Sequence, residues 1–245
     1  MAVFDMLAFD ADDTLWHNER LYVTAQEQFT RMLSHYHKPE WVMARLYETE
    51  TQNLAHFGYG IKAFALSMIE TAVELTEGRI SGRDIQALVE TARQMINAEV
   101  ELLEHVREII PQLSTHYRLM MITKGDLLDQ ESKISRSGLG QYFRYVEIIS
   151  SKTRESYEKV LNRYAIAPEH FLMVGNSLRS DILPILDLGG SAVYIPYETT
   201  WEHELANPPT GHPGYHQLRH MGELPALLKD LENGARRQTG AGLQD

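Results

Sequence analysis

The alternation of apolar and polar positions changes rhythm twice along this chain. It opens on a short apolar run, Met6-Leu7-Ala8-Phe9, that stops abruptly at Asp10, with Asp12 and Asp13 close behind. A continuous apolar segment of this length, ending in acids, predicts a strand buried on both faces whose C-terminal end opens on a site. After His17 the apolar positions fall at helical spacing, with Leu21, Ala25, Phe29, Met32, Leu33 and Tyr36 on one face. Pro39 opens a second helix that carries Trp41, Val42, Leu46 and Leu54 and stops near Gly58 and Gly60. A third runs from Ile61 through Phe64, Met68 and Ala72 to near Gly78. The fourth opens at Ser81 with Asp84 three residues on, a start resembling a capping box. Four amphipathic helices in about 85 residues predict a small bundle, with Trp41 and Phe64 in its core.

From about residue 104 helices and strands alternate. Val106, Ile109, Ile110 and Leu113 form an apolar stripe, in which Pro111 should kink or shorten the helix. Strands are predicted over 117–122, 145–149, 171–174 and 191–195, with helices between them. Residues 197–215 read as loop, and 224–231 as a last helix. This alternation predicts an α/β fold built on a doubly wound parallel sheet, interrupted after its first strand by the helical bundle. The expected division is residues 1–16 with 105–233 as the α/β core, 17–104 as the helical domain, and 234–245 as a disordered polar tail.

Polar residues close four of these strands. Asp10 and Asp12 follow the first, Thr123-Lys124-Gly125 the second, Lys152 the third, and Asn176 with Asp181 the fourth. In a doubly wound sheet such ends gather at one edge, where ligands bind. Crowded carboxylates need a positive partner, and a hard cation such as Mg²⁺ prefers oxygen ligands. One carboxylate can then attack phosphorus while the other handles protons. The Thr123 hydroxyl suits either phosphoryl oxygens or a helix N-cap. Lys124 reads equally as a substrate contact or a solvated side chain. Lys159 rivals Lys152, but its place inside a helix is an ordinary solvent-facing one.

Asp10-Ala11-Asp12-Asp13-Thr14-Leu15 resembles the first motif of the haloacid dehalogenase (HAD) superfamily, Asp-x-Asp-x-Thr after a hydrophobic strand. Thr123, Lys152 and Gly175-Asn176-Ser177-x-x-x-Asp181 stand in the order of that family's second, third and fourth motifs. The helical insertion resembles the cap that many members place between motifs one and two. The resemblance implies a Mg²⁺-dependent phosphohydrolase acting on a small phosphorylated metabolite. It casts Asp10 as nucleophile, forming an aspartyl-phosphate, and Asp12 as acid and base. Thr123 and Lys152 would stabilise phosphoryl oxygens and, with Lys124 and Gly125, contact substrate. Mg²⁺ would be held by Asp10, the Asp12 backbone carbonyl, Asn176 and Asp181.

Asp12 favours phosphoryl transfer, since haloacid dehalogenases lack an acid two residues after the first aspartate. Two departures stand out. Thr153 follows the motif lysine where relatives commonly have proline, and Asn176 replaces a common acid with an uncharged oxygen ligand. A phosphomutase uses the same two acids, and a non-catalytic phosphate-binding protein of this fold accommodates both departures. Both alternatives stay open on the sequence alone.

Composition narrows the partners. The 245 residues include 23 Lys plus Arg and 34 Asp plus Glu, a net charge of −11 that argues against nucleic acid and anionic membrane as partners. With no cysteine, disulfides, thiolate metal sites and a cysteine nucleophile are excluded. The 11 histidines show no zinc-binding spacing. No leader-like segment and no bilayer-spanning apolar run is evident, so the expectation is a soluble cytoplasmic protein.

Overall fold

The computed structural model describes residues 3–241. The first apolar run is β1 (Met6–Phe9), followed by four helices: α1 (Glu19–Met32), α2 (Pro39–Phe57), α3 (Ile61–Leu75) and α4 (Gly82–Asn97). Helices and strands then alternate through α5 (Val106–Ser114), β2 (Leu119–Lys124), α6 (Leu127–Ser137), β3 (Tyr145–Ile149), α7 (Arg154–Arg163) and β4 (Phe171–Gly175). The chain closes with α8 (Leu183–Leu186), β5 (Ser191–Tyr194), β6 (Tyr215–Gln217) and α9 (Leu224–Ala241). It groups into two compact units. Among the described residues, one gathers those up to His17, Glu101–Thr123 and those from Ser137 on; the other combines Asn18–Val100 with Lys124–Arg136.

The first unit is built on a six-stranded sheet in the order β3-β2-β1-β4-β5-β6. β1 pairs in parallel with β2 (Phe9 opposite Met121) and with β4 (Phe9 opposite Val174). This central position explains why β1 reads as an unbroken apolar run: both faces of the sheet are covered. Met6, Ala8, Met120, Ile122, Phe171 and Met173 pack on one face with Tyr157, Val160 and Leu161 of α7. Leu7, Phe9, Leu119, Met121, Leu172 and Val174 alternate with them and are equally buried. Removing each large apolar side chain from water contributes about 1.5–3 kcal/mol, so the sheet centre is a rigid base for whatever its strand ends carry.

The second unit has its own core. Phe29, Leu33, Val42, Leu46, Phe64, Met68, Leu88 and Met95 cluster from all four helices. Ser81 caps α4, accepting from the Asp84 backbone N–H at 3.1 Å and donating to the Asp84 carboxylate at 2.7 Å.

The structure departs from the sequence-based expectations at several points. Trp41 is 54% exposed and not in the bundle core. The core stripe of α2 is Val42, Leu46, Thr49 and Asn53, and a residue one place before it is turned about 100° away. Tyr36 lies beyond the end of α1 and is exposed. α5, by contrast, is short as expected, nine residues with Pro111 in its interior. β6 is a strand the sequence does not announce: Tyr215 closes the expected loop and His216 and Gln217 fall in no expected element, yet the three pair in parallel with Ala192, Val193 and Tyr194. α9 continues to Ala241 through residues expected to be disordered, because Ala235, Arg236, Arg237 and Gln238 are good helix formers. Residues 242–245 of that expected tail lie outside the described residues.

Residues 124–136, expected within the α/β core, pack with the helices instead. Lys62 pairs with Asp126 at 2.9 Å, and Lys133 donates to Asn18 at 3.2 Å. The Arg136 guanidinium donates to the backbone carbonyls of Ile96 and Ala98.

Candidate active site

The apolar run stops at Asp10 because β1 stops there. Its backbone N–H donates to the Val174 carbonyl at 2.9 Å, which ties this end of β1 to β4. The chain then turns sharply. The backbone N–H groups of Thr14 and Leu15 donate to the Ala11 carbonyl, and Asp13 adopts a left-handed conformation (φ 61°). That turn brings the Thr14 hydroxyl back to donate to Asp10 Oδ2 at 3.0 Å. Asp10 is buried, and burial pushes its carboxyl up to about 7, against the pull of the neighbouring Lys152 ammonium.

Lys152 follows β3 and reaches back into the same place. Its ammonium donates to Asp10 Oδ1 and, at 2.7 Å, to Asp181 Oδ1. Burial works to lower its proton affinity, but the Asp10 and Asp181 carboxylates more than offset this and hold it above the usual lysine range. Lys159, the rival in the sequence, is exposed on α7. The Thr153 side chain caps α7, bonded to the Ser156 backbone N–H, so threonine fulfils a helix-start role in place of the usual proline.

Asp181 is 0% exposed and its second oxygen accepts from the Ser177 backbone N–H at 3.0 Å. Gly175 allows this approach, because a Cβ there would overlap the Asp181 carboxylate. The turn between them is of π type, with the Ile182 N–H reaching the Ser177 carbonyl, which presents Asn176 and Asp181 together.

Asn176 and Asp12 complete the cluster. The end of the Asn176 amide nearest Asp10 lies 3.2 Å from Asp10 Oδ2 and 3.3 Å from both the Asp12 backbone carbonyl and Thr14 Oγ1. With its NH₂ turned inward, the amide donates to these oxygens. With its oxygen inward, Asp10 Oδ2, the Asp12 carbonyl and Asn176 Oδ1 form a triangle of oxygens. The Thr14 hydroxyl donates into it. The first orientation suits the bare protein, and the second is a donor set for a hard cation. Among the described residues no group of three or more His, Cys, Asp or Glu is arranged to hold a metal ion. The set here is a mixture of carboxylate, amide and main-chain oxygen.

Asp12 itself is half-buried, and its Oδ1 accepts from the Trp16 indole N–H at 2.7 Å. Thr123 is buried near the end of β2, two residues beyond Met121, which pairs with Phe9. The structure thus brings Asp10, Lys152, Asn176, Asp181 and the Asp12 backbone together. Lys124 and Gly125 group with the helical unit: the Lys124 ammonium lies 4.2 Å from the centre of the Tyr59 ring, and Gly125 has φ 139°.

Thr14, the threonine of the Asp-x-Asp-x-Thr stretch, donates to Asp10. Two further contributors, Trp16 and Glu204, are not evident from the sequence motifs. Glu204 lies in a loop expected to be featureless. It is buried and accepts from the Ser177 and Ser180 hydroxyls, each at 2.5 Å, while Arg179 donates to the His203 carbonyl at 2.7 Å. No local sequence signal announces that long-range brace.

Comparisons with known proteins give the family. Residues 4–189 match the family model of the haloacid dehalogenase-like hydrolases, and the chain belongs to that family. A crystal structure of a haloacid dehalogenase-like family hydrolase from Xanthomonas campestris is 40% identical, with a TM-score of 0.86 over 96% of this chain and 95% of that one. N-acylneuraminate-9-phosphatase from Homo sapiens is 28% identical over 54% of this chain. Glyceraldehyde 3-phosphate phosphatase from Methanothermobacter thermautotrophicus is 32% identical over 38% of this chain. The matched segments span 53% and 43% of the lengths of these two phosphatases. No helix among the described residues is long and apolar enough to cross a membrane.

Proposed function

We propose that this chain is a Mg²⁺-dependent cytoplasmic phosphatase that hydrolyses a small phosphorylated metabolite through an aspartyl-phosphate on Asp10. The observation that carries this reading is the buried Asp10 carboxylate, held by Lys152 and Thr14, with a second acid two residues on. An acid at Asp12 suits a leaving group that is an alkoxide, which needs a proton as it departs. The phosphatase relatives from Homo sapiens and Methanothermobacter thermautotrophicus support the same class.

Asp10 attacks phosphorus in line, and the bond from phosphorus to the ester oxygen breaks with its electron pair on that oxygen. Asp12 gives its proton to the departing oxygen. Water then attacks the phosphorus of the aspartyl-phosphate and loses a proton to Asp12, and the Asp10–phosphorus electron pair returns to the carboxylate. Lys152 neutralises the Asp10 and Asp181 charges and supports the phosphoryl oxygens as charge builds on them. Thr123 is assigned the same task from the end of β2. Lys124 and Gly125 are assigned to substrate contact, and the helical unit is assigned the role of a cap that selects the substrate.

The donor set of Asp10 Oδ2, the Asp12 carbonyl and the Asn176 amide oxygen, with Asp181 directly or through water, fits Mg²⁺. When bound there it would orient the phosphate and shield its charge from the nucleophile.

The test is phosphate release from an aryl phosphate by wild type and Asp10→Asn, with Mg²⁺ and with EDTA. Release that requires Mg²⁺ and disappears in Asp10→Asn supports the phosphatase reading. Turnover that needs an added bisphosphate and releases no net phosphate would point to a mutase instead.

A further inference from the structure

We propose that Trp16 is a positioning residue for the acid–base group: its indole N–H fixes which oxygen of Asp12 carries the catalytic proton. The proposal rests on the phosphatase reading of Asp12. Trp16 is 1% exposed, and a buried indole N–H must find an acceptor. Its partner is Asp12 Oδ1 at 2.7 Å.

The tryptophan is itself anchored on several sides by the same turn. The Asp13 N–H donates to the Trp16 carbonyl at 2.7 Å, and the Trp16 N–H reaches the Ala11 carbonyl at 3.4 Å. Trp16 forms isolated bridges to Asp12 and to Leu102, and the Leu103 N–H donates to the Leu15 carbonyl at 3.0 Å. The Trp16 backbone is therefore held in a closed frame that it shares with the Asp12 backbone, so the indole acts on the half-buried Asp12 side chain alone.

The consequence is chemical. A carboxyl whose Oδ1 accepts from a fixed donor carries its proton on Oδ2, with the plane of the group set by the indole. The proton is thus presented on one oxygen in one orientation, as a general acid requires. Without the indole N–H, Asp12 keeps its acidity but loses this orientation. Phosphoryl transfer to Asp10 then proceeds with less proton transfer to the departing oxygen.

The experiment compares kcat/KM for substituted phenyl phosphates, from 4-nitrophenyl to 4-methoxyphenyl, in wild type, Trp16→Phe and Asp12→Asn. kcat/KM reports the steps through the first P–O cleavage, so it isolates the acid role. Trp16→Phe should leave 4-nitrophenyl phosphate within about threefold of wild type and slow 4-methoxyphenyl phosphate by roughly tenfold, part of the 10²–10⁴ range of a general acid. Asp12→Asn should steepen the leaving-group dependence further. An equal loss across the series in Trp16→Phe would mark a structural role only and overturn the proposal. A flat dependence in Asp12→Asn would instead overturn the acid role of Asp12, a separate failure.

Should Trp16→Phe not fold, the indole N–H resonances of the full chain decide. The three tryptophans give three such signals. In Asp12→Ala the Trp16 signal should shift and lose protection from hydrogen exchange, and an unmoved, still protected signal overturns the proposal.

Discussion

The Lys152 ammonium lies 2.7 Å from Asp181 Oδ1, with both side chains only 1% exposed, and the same ammonium also bonds Asp10. A single positive charge therefore keeps two buried carboxylates in place. Removing one partner of a buried ion pair costs about 3–5 kcal/mol because the remaining charge is left uncompensated. Lys152→Met should lower the urea midpoint correspondingly in the absence of Mg²⁺. It should also reduce kcat at saturating Mg²⁺ by roughly 10²-fold or more, the loss typical of one transition-state stabiliser. Equilibrium unfolding and steady-state kinetics on one preparation check both.

Asn176 supplies an oxygen without charge next to Asp10 and the Asp12 carbonyl. Asn176→Asp adds a carboxylate to that cluster, so the metal-free variant should melt below wild type. Added Mg²⁺ should raise its melting temperature more than it raises that of wild type. The Mg²⁺ concentration for half-maximal thermal shift should fall several-fold, since charge count tunes the affinity of oxygen-ligand cation sites. An unchanged midpoint would argue that Asn176 faces away from the cation.

Glu204 holds the hydroxyls of Ser177 and Ser180, the residues adjacent to Asn176 and Asp181. Glu204→Ala leaves two buried hydroxyls without this acceptor, at about 1–3 kcal/mol for each group left unsatisfied. Thermal melts should show the loss. Glu204→Gln, which retains an acceptor oxygen, should recover part of it, and equal losses in the two variants would speak against the brace.

Glu50 on α2 is raised from 4.5 to about 8, chiefly by burial and secondarily by the Glu19 carboxylate. The folded chain holds this proton to higher pH than the unfolded chain does. Its contribution to stability is therefore complete below about 4.5 and is lost as pH rises towards 8. Glu50→Gln removes the ionisation. The variant should match wild type near pH 4 and melt higher at pH 8.5, by several degrees, since about 1 kcal/mol moves a chain of this length by roughly 2–4 °C. Calorimetry at the two pH values tests the sign.

What the sequence made legible is local. Asp10 stands out because an apolar strand ends on it, and Lys152 and Asp181 because they stand where the resemblance to the family's third and fourth motifs puts them. The parallel α/β class and the helical insertion follow from hydrophobic period alone. What it hid is set by distant partners. Glu204 meets Ser177 across 27 positions, and β6 exists only by pairing with β5. The segment after Thr123 joins the helices through contacts such as Lys62 with Asp126, 64 residues apart. Trp41 shows the reverse error: an aromatic at helical spacing reads as core, yet one step of 100° places it outside the stripe.

A covalent bond from Asp10 to phosphorus can be trapped in acid-quenched enzyme. Wild type incubated with Mg²⁺ and a radiolabelled aryl phosphate should carry acid-stable, base-labile phosphate on the peptide containing Asp10. Hydroxylamine should release it, and Asp10→Asn should carry none. Turnover by wild type with no label on that peptide, together with activity retained in Asp10→Asn, would rule out the aspartyl-phosphate.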